Sequence, residues 1–246
     1  MDFKLGKLPA VYDERTLRLE NYLDVPKLPL LPETSDWFAK TSPFPMGGND
    51  QYGDCVRAGA AHVIQTWSAN AGREIITPDQ MCIDEYLQLT GGQDTGLVML
   101  DFLKYWRKTG INCPDGKHKI GAFAAIDPQN LTSWRYCNFL FGGVYGGFNV
   151  PQSAMDQFDK GQTWSVVKGS PLVGGHCVNG GIATPRLIQL GTWGKKQWAA
   201  VDFVGQYFDE AYAVISLEFF TKDHKTPAGF YWKDLVSDLK SRVVTG

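Results

Sequence analysis

Among the five cysteines and four histidines of this chain, one cysteine sits where a nucleophile would be placed. In "GGNDQYGDCVRAGAAHVIQTW", residues 47–67, Cys55 follows a Gly- and Asp-rich turn. It precedes small and apolar residues at helical spacing, Ala58, Ala61, Val63, Ile64 and Trp67. That puts it at or within one turn of a helix N-terminus. There, free backbone N–H groups and the positive end of the helix dipole favour thiolate over thiol. A thiolate nucleophile wants an imidazole within hydrogen-bond reach, first to pair with it and later to protonate the leaving group. It also wants donors aimed at the developing oxyanion. The Cys55 N–H is one, and an amide side chain just upstream, Asn49 or Gln51, is the candidate for the second.

Four histidines compete for the role of base. His62 lies on the Cys55 helix seven residues on, about two turns and ~10 Å away, too far for a side-chain pair. His118, in "DGKHKIG", reads as solvated between charges, and His224, in "TKDHKTPAG", as a surface residue. His176, in "SPLVGGHCVNGGIA", opens an apolar strand and is flanked by glycines that keep neighbouring space free. Against these readings stands a plainer set. Cys55 is then a small buried cysteine, Asn49 and Gln51 cap their own backbone, and Cys82, Cys113 and Cys177 are core.

The elements that must position these residues read as helices first and strands second. Residues 1–45 carry six prolines and little periodicity, and read as an extended arm over the body, anchored by Leu17, Leu19, Tyr22, Leu23 and Trp37. The Cys55 helix runs to about Ala71. A second helix is expected over "TPDQMCIDEYLQLTG", with Thr77 as N-cap and Gln80 closing a capping box. A third covers "GLVMLDFLKYWRKTGI", with Val98, Leu100, Leu103 and Trp106 on one stripe and Gly110 as C-cap. A short helix is expected near Asp127–Pro128 and a strand over 143–150. From about 164 the expected strands are "WSVV", "GHCVNGGIA", "RLIQLGTWG", "KQWAAVDFVGQYF" (its latter part open to helix) and "EAYAVISLEFF". The order gives an α+β fold, with a helical lobe about 46–120, a mostly antiparallel β lobe about 121–220 and a tail over 221–246.

Composition excludes several function classes. Net charge is −2 and no basic run stands out, so nucleic acid has no electrostatic footprint. No segment of signal-peptide type or membrane-spanning length occurs, and neither nucleic acid nor membrane is an expected partner. The cysteines form neither a CxxC pair nor a Cys/His cluster, so no metal or organic cofactor is implied. The chain reads as soluble, in a reducing compartment: the cytoplasm of a bacterial host, or a virion.

In pattern and order the chain resembles the papain-like cysteine peptidases over roughly residues 45–218. The resemblance rests on Cys55 opening a helix, Asn49 six residues before it, His176 in "GGHCV", Trp193–Gly194 in "LIQLGTWGKKQW", and "EAYAVIS" as a closing strand. It implies a helical left lobe whose central helix carries the cysteine, packed against an antiparallel β barrel. It also implies Cys55 as nucleophile, His176 as base and acid, and an amide at position 49 as oxyanion donor. The family's orienting asparagine falls on Gly191, next to Thr192; Thr192, Gln189 or Asp202 are the substitutes at hand. A second similarity, to uncharacterised phage and bacterial proteins with "YGDC", "YWRKTGI" and "TWG" segments, brings no activity with it.

Three functions follow as expectations. One is a cysteine peptidase acting on a peptide or protein through an acyl-enzyme. Another is a catalytically silent papain-like module, structural or binding, whose arm latches neighbouring subunits, for instance in a phage particle. The last is an amidase or acyltransferase that uses the same residues.

Overall fold

The computed structural model describes residues 3–23, 28–216 and 218. The tail from 221, His224 and the end of "EAYAVISLEFF" lie outside them. Among the described residues up to 45, regular structure is confined to a 3-10 turn at Leu19–Asn21 and a two-residue strand, β1 (Ser35–Asp36). Leu17 and Leu19 are buried there, whereas Trp37 is half-buried and its neighbour Phe38 takes the core position. Helix α1 (Cys55–Asn70) follows the turn and has fifteen of its sixteen residues buried. It is a central helix, and its buried polar side chains are bonded inside the fold, Arg57 to Glu85 at 2.6 Å and Gln65 to Glu74 at 2.9 Å.

Helices α2 (Asp79–Leu89) and α3 (Met99–Thr109) flank α1. Leu100, Leu103 and Trp106 are buried on one stripe of α3, and Gly110 ends it at φ 84°, a conformation that favours glycine. The capping box expected at Thr77 does not form. Helix α2 begins after Pro78, and the Thr77 hydroxyl contacts the Cys113 thiol instead. Beyond a small hairpin of β2 (Ile111–Cys113) and β3 (Gly116–His118), the chain alternates β4 (Ala122–Ile126), α4 (Leu131–Phe141), β5 (Val144–Pro151) and α5 (Gln152–Asp159). Then come β6 (Leu172–Ala183), β7 (Leu187–Thr192), β8 (Lys195–Ala200), α6 (Val201–Tyr207) and β9 (Phe208–Ile215).

One antiparallel sheet carries the order β4-β9-β5-β6-β7-β8, with β1 added beside β6. Alternation along its strands buries both faces. Phe123, Tyr145, Cys177, Tyr212 and Val214 pack with α1 and α3. Ala122, Val144, Phe148, Val178, Ala211 and Ala213 pack with α4, α5 and α6. The fold is thus mixed helix and antiparallel sheet, as the residue pattern predicts. "WSVV" departs from expectation: only Trp164 pairs, in a single bridge with Ala199. His118 also departs, being buried and bonded to Asp115 and Glu218; one of the neighbouring charges that read as solvation, Asp115, is a partner.

Helix α1 approaches β6 and β5 through Gly59, where a Cβ would lie 3.2 Å from both Cys177 Sγ and Tyr145 Cε2. Tyr145 cannot swing aside cheaply, because its hydroxyl donates to the Val56 carbonyl at 2.5 Å. Gly59→Leu is therefore expected to lower stability by about 1–3 kcal/mol through overpacking. Urea denaturation measures this, and an unchanged midpoint would show that the helix–sheet contact has slack.

Candidate active site

Cys55 is the first residue of α1 and has no exposed surface. Its sulfur faces two backbone N–H groups, those of Gly6 and Cys177. Burial pushes the thiol up to about 11, outweighing the pull of those two donors. At neutral pH only about one sulfur in ten thousand would be ionised at that value.

His176 sits in β6 opposite Phe148 and is fully buried. Its Nε2 shares a 2.6 Å hydrogen bond with Thr192 Oγ1, and its ring stacks on Trp193 at 4.3 Å. Of the substitutes for an orienting amide, Thr192 is the one in contact. Gln189 pairs with Trp198 across β7 and β8, and Asp202 accepts from the backbone of Phe203. Trp193 and Gly194 are the two-residue turn between paired Thr192 and Lys195, with φ of 43° and 72°. Positive φ at both positions is what a tight hairpin demands. A tryptophan held there is strained, and the rings of Phe3, Phe158 and Trp164 pack around it.

Burial, and behind it the charge of His62, pushes His176 down to about 3. Nδ1 has no hydrogen-bond partner among the described residues. The strand pleat directs Cys177 to the α1 face and His176 to the other, where Phe148 and Trp193 lie. The Cys55 thiol therefore meets the backbone one residue beyond His176, and no hydrogen bond joins sulfur to ring.

Of the two upstream amides, Asn49 is buried and Gln51 is exposed. Asn49 Nδ2 donates to Asp54 Oδ1 in a short hydrogen bond, which engages one of the two N–H donors of the amide expected at an oxyanion. Asp54 escaped the sequence reading, although it directly precedes Cys55; an acid in a Gly- and Asp-rich turn looks like turn chemistry. It is fully buried, and its Oδ2 has no partner among the described residues. Burial raises its carboxyl to about 8, against the pull of Asn49.

Also unforeseen is the course of residues 3–8, which cross directly over Cys55. The Lys4 N–H donates to the Asn49 carbonyl at 2.7 Å, and Lys7 N–H to the Gly175 carbonyl at 3.0 Å. The Gly6 carbonyl accepts from Leu97 N–H at 2.9 Å, and Leu8 N–H donates to the Leu97 carbonyl at 3.0 Å. A Cβ on Gly6 would come within 1.7 Å of the Gly53 carbonyl oxygen, and one on Gly175 within 2.2 Å of the Lys7 carbonyl oxygen. Glycine at both positions lets backbone lie against backbone. The segment fills the space between the turn before α1 and the start of β6.

Three buried groups of the site contribute to the pH dependence of stability. His62, pushed down to about 4 mainly by burial, and His176, at about 3, stay neutral in the fold while the unfolded chain takes up protons below about 6.5. They destabilise the fold as pH falls below that value. Asp54 acts oppositely: the fold keeps its proton up to about 8, whereas the unfolded carboxyl, at 3.8, has lost it. Between pH 6.5 and 8 this one group lowers stability as pH rises, by up to about 1.4 kcal/mol per unit. Thermal melts at pH 5, 6.5 and 8 should peak near 6.5, and Asp54→Asn should flatten the limb from 6.5 to 8. An identical slope in that variant would mean the carboxyl is ionised in the fold.

In sequence, no protein-family model and no curated protein matches this chain. Solved structures do match it in backbone. Xylellain, a cysteine protease from Xylella fastidiosa, superposes with a TM-score of 0.68 at 16% identity, covering 88% of this chain and 98% of its own. Digestive procathepsin L2 from Tenebrio molitor larval midgut gives 0.62 at 16%, over 87% and 78%. The proCathepsin B S9 of Trypanosoma congolense gives 0.58 at 13%, over 86% of each. At such identities the likeness is one of fold, and the fold of this chain is that of the papain-like cysteine proteases.

Proposed function

We propose that the chain is a papain-like cysteine hydrolase that cleaves peptide or amide bonds through Cys55, and that residues 3–8 hold it closed. The observation that carries this reading is the cysteine heading the buried helix of this fold, with backbone N–H groups aimed at its sulfur and a segment of the same chain laid over it. Once the segment leaves, water reaches the thiol and the imidazole, and the desolvation that keeps both neutral is relieved. The Cys55 sulfur attacks the substrate carbonyl carbon as His176 takes the thiol proton. His176 passes that proton to the departing amine as the C–N bond breaks, and water then hydrolyses the thioester. Thr192 and Trp193 orient the imidazole. The oxyanion is met by the Cys55 N–H and by Asn49, once its amide turns from Asp54. An amidase or acyltransferase would use the same groups in the same roles.

A silent module is the competing reading, in a structural or binding role such as a phage particle component. It draws on Gly191 standing where the family carries its asparagine, which leaves the neighbouring Thr192 hydroxyl on the imidazole, and on the lack of a bond between Cys55 and His176. The two diverge in thiol reactivity. Gly6→Ala is expected to lift residues 3–8, because its Cβ would collide with backbone. In the full chain at pH 7, Cys55 of this variant should alkylate with iodoacetamide at least about tenfold faster than wild type, and His176→Ala should reverse most of the gain. Slow, uniform labelling of all five cysteines in the opened variant would establish the silent module.

A further inference from the structure

Asp54 stands at the N-cap of α1, directly before Cys55, yet its side chain caps nothing. An aspartate at that position ordinarily turns its carboxylate onto the first free N–H groups of the helix. Here Oδ1 accepts from Asn49 Nδ2, and Oδ2 has no hydrogen-bond partner among the described residues. The carboxyl is fully buried behind the turn, where a Cβ on Gly48 would come within 2.7 Å of Oδ2 and 2.6 Å of Ile83 Cγ1. Arg57, three residues on, bonds instead to Glu85 through Nε and to the Asn112 carbonyl through Nη2, both at 2.6 Å.

We infer that Asp54 is a positioning residue of the hydrolysis, which must carry its proton for the helix N-terminus to serve the Cys55 thiolate and for Asn49 to serve the oxyanion. The inference rests on the hydrolase reading, since only a working site has an oxyanion to meet. A carboxylate here would set a second negative charge near the sulfur and disfavour the thiolate. It would also grip the Asn49 amide through a charge-assisted bond, about twice as strong as one between neutral groups. The neutral acid does neither. It adds no charge, and the amide turns away from it against an ordinary hydrogen bond only. The N–H groups of α1 that Asp54 leaves uncapped then remain for the sulfur. Burial is the largest cause that keeps the proton on Asp54, and the negative charge of Asp79, from α2, adds to it. Asn49 and the positive charge of Arg57 pull the other way. Cys82 and Tyr86, also from α2, and Cys55 face the carboxyl as well.

The test sets Asp54→Asn, which keeps the shape and removes the charge, against its parent, both in the full chain carrying Gly6→Ala. Two readouts are followed from pH 6.5 to 9: iodoacetamide labelling of Cys55, and turnover of the best-cleaved member of a set of fluorogenic peptide amides. At pH 6.5 the two proteins should agree within about twofold. At pH 9 the variant should label at least about threefold faster, and its kcat should be at least about fivefold higher at unchanged KM. With Asn49→Ala added to both, the kcat ratio at pH 9 should fall to the labelling ratio, because the share carried by the amide is gone. Ratios that stay constant with pH in both readouts mean that the carboxyl acts on stability alone, and overturn the proposal. A kcat ratio indifferent to Asn49→Ala overturns the part assigned to the amide. Should Asp54→Asn not fold, the carbon-13 resonances of the aspartate carboxyls in the Gly6→Ala chain decide. One carboxyl that titrates above pH 7 in step with a fall in kcat supports the proposal, and aspartates all ionised by pH 6 overturn it. If labelling diverges at pH 9 and no peptide is turned over, the hydrolase reading fails and the hold of Asp54 on the thiol stands.

Discussion

An α-helix ordinarily begins where its first N–H groups can meet water or a capping side chain. Helix α1 begins instead beneath the turn 47–54 and residues 3–8, with no side-chain cap from Asp54. The constraint this sets is desolvation at the point where the fold places the Cys55 sulfur. The helix can be buried there because its residues are small: Gly59 admits Cys177 and Tyr145, and Ala58 meets the turn at Gly47. Everything else at the site follows from that depth. Asp54, drawn in behind the turn, is held protonated at neutral pH and takes the amide of Asn49 with it. The strand start at Gly174–Gly175 lies close enough for a second backbone to be threaded between it and α1.

Under that cover the cysteine and histidine carry no charge. A thiol pushed up to about 11 and an imidazole pushed down to about 3 are far from the order needed for a thiolate–imidazolium pair. Neither value describes a site open to water, since burial is the largest cause of both. The helix N-terminus and the Cys177 N–H favour the anion in either state, and the Gly6 N–H only while the cover is in place, but they act as a modest correction against desolvation. Removing the cover is therefore a larger electrostatic change than any single substitution inside the site.

The position of Cys55 and the first three α-helices were legible because they rest on local rules. A glycine-rich turn followed by small apolar residues marks the start of α1, and the stripe and C-cap of α3 stand in the sequence as they stand in the fold. Helix α5 was missed: it is eight residues long, with no capping side chain, and its start coincides with the end of β5. His118 was misread because flanking charges look the same whether they face water or pair with the ring. The path of residues 3–8 left almost no trace. Its contacts with Asn49, Leu97 and Gly175 are backbone hydrogen bonds, which impose no side-chain pattern, and Gly6 alone hints at a close approach.

Thr192 bears on what position 176 is for. With the proton on Nε2, the hydroxyl accepts it at 2.6 Å, and Nδ1 is left as a bare acceptor. That is the tautomer a base requires, although a neutral hydroxyl holds it less firmly than an amide carbonyl would. Stacking on Trp193 holds the ring in place and is worth about 0.5–1.5 kcal/mol if it behaves as an aromatic pair. Keeping a tryptophan at positive φ costs on the order of 1–3 kcal/mol, and a buried acceptor without a partner costs a similar amount. A leucine at 176 would fill the same space with neither an orphaned nitrogen nor a need for Thr192. Local energetics thus argue against a histidine here, and unsatisfied polarity beside a strained turn is a pattern expected of sites more than of cores.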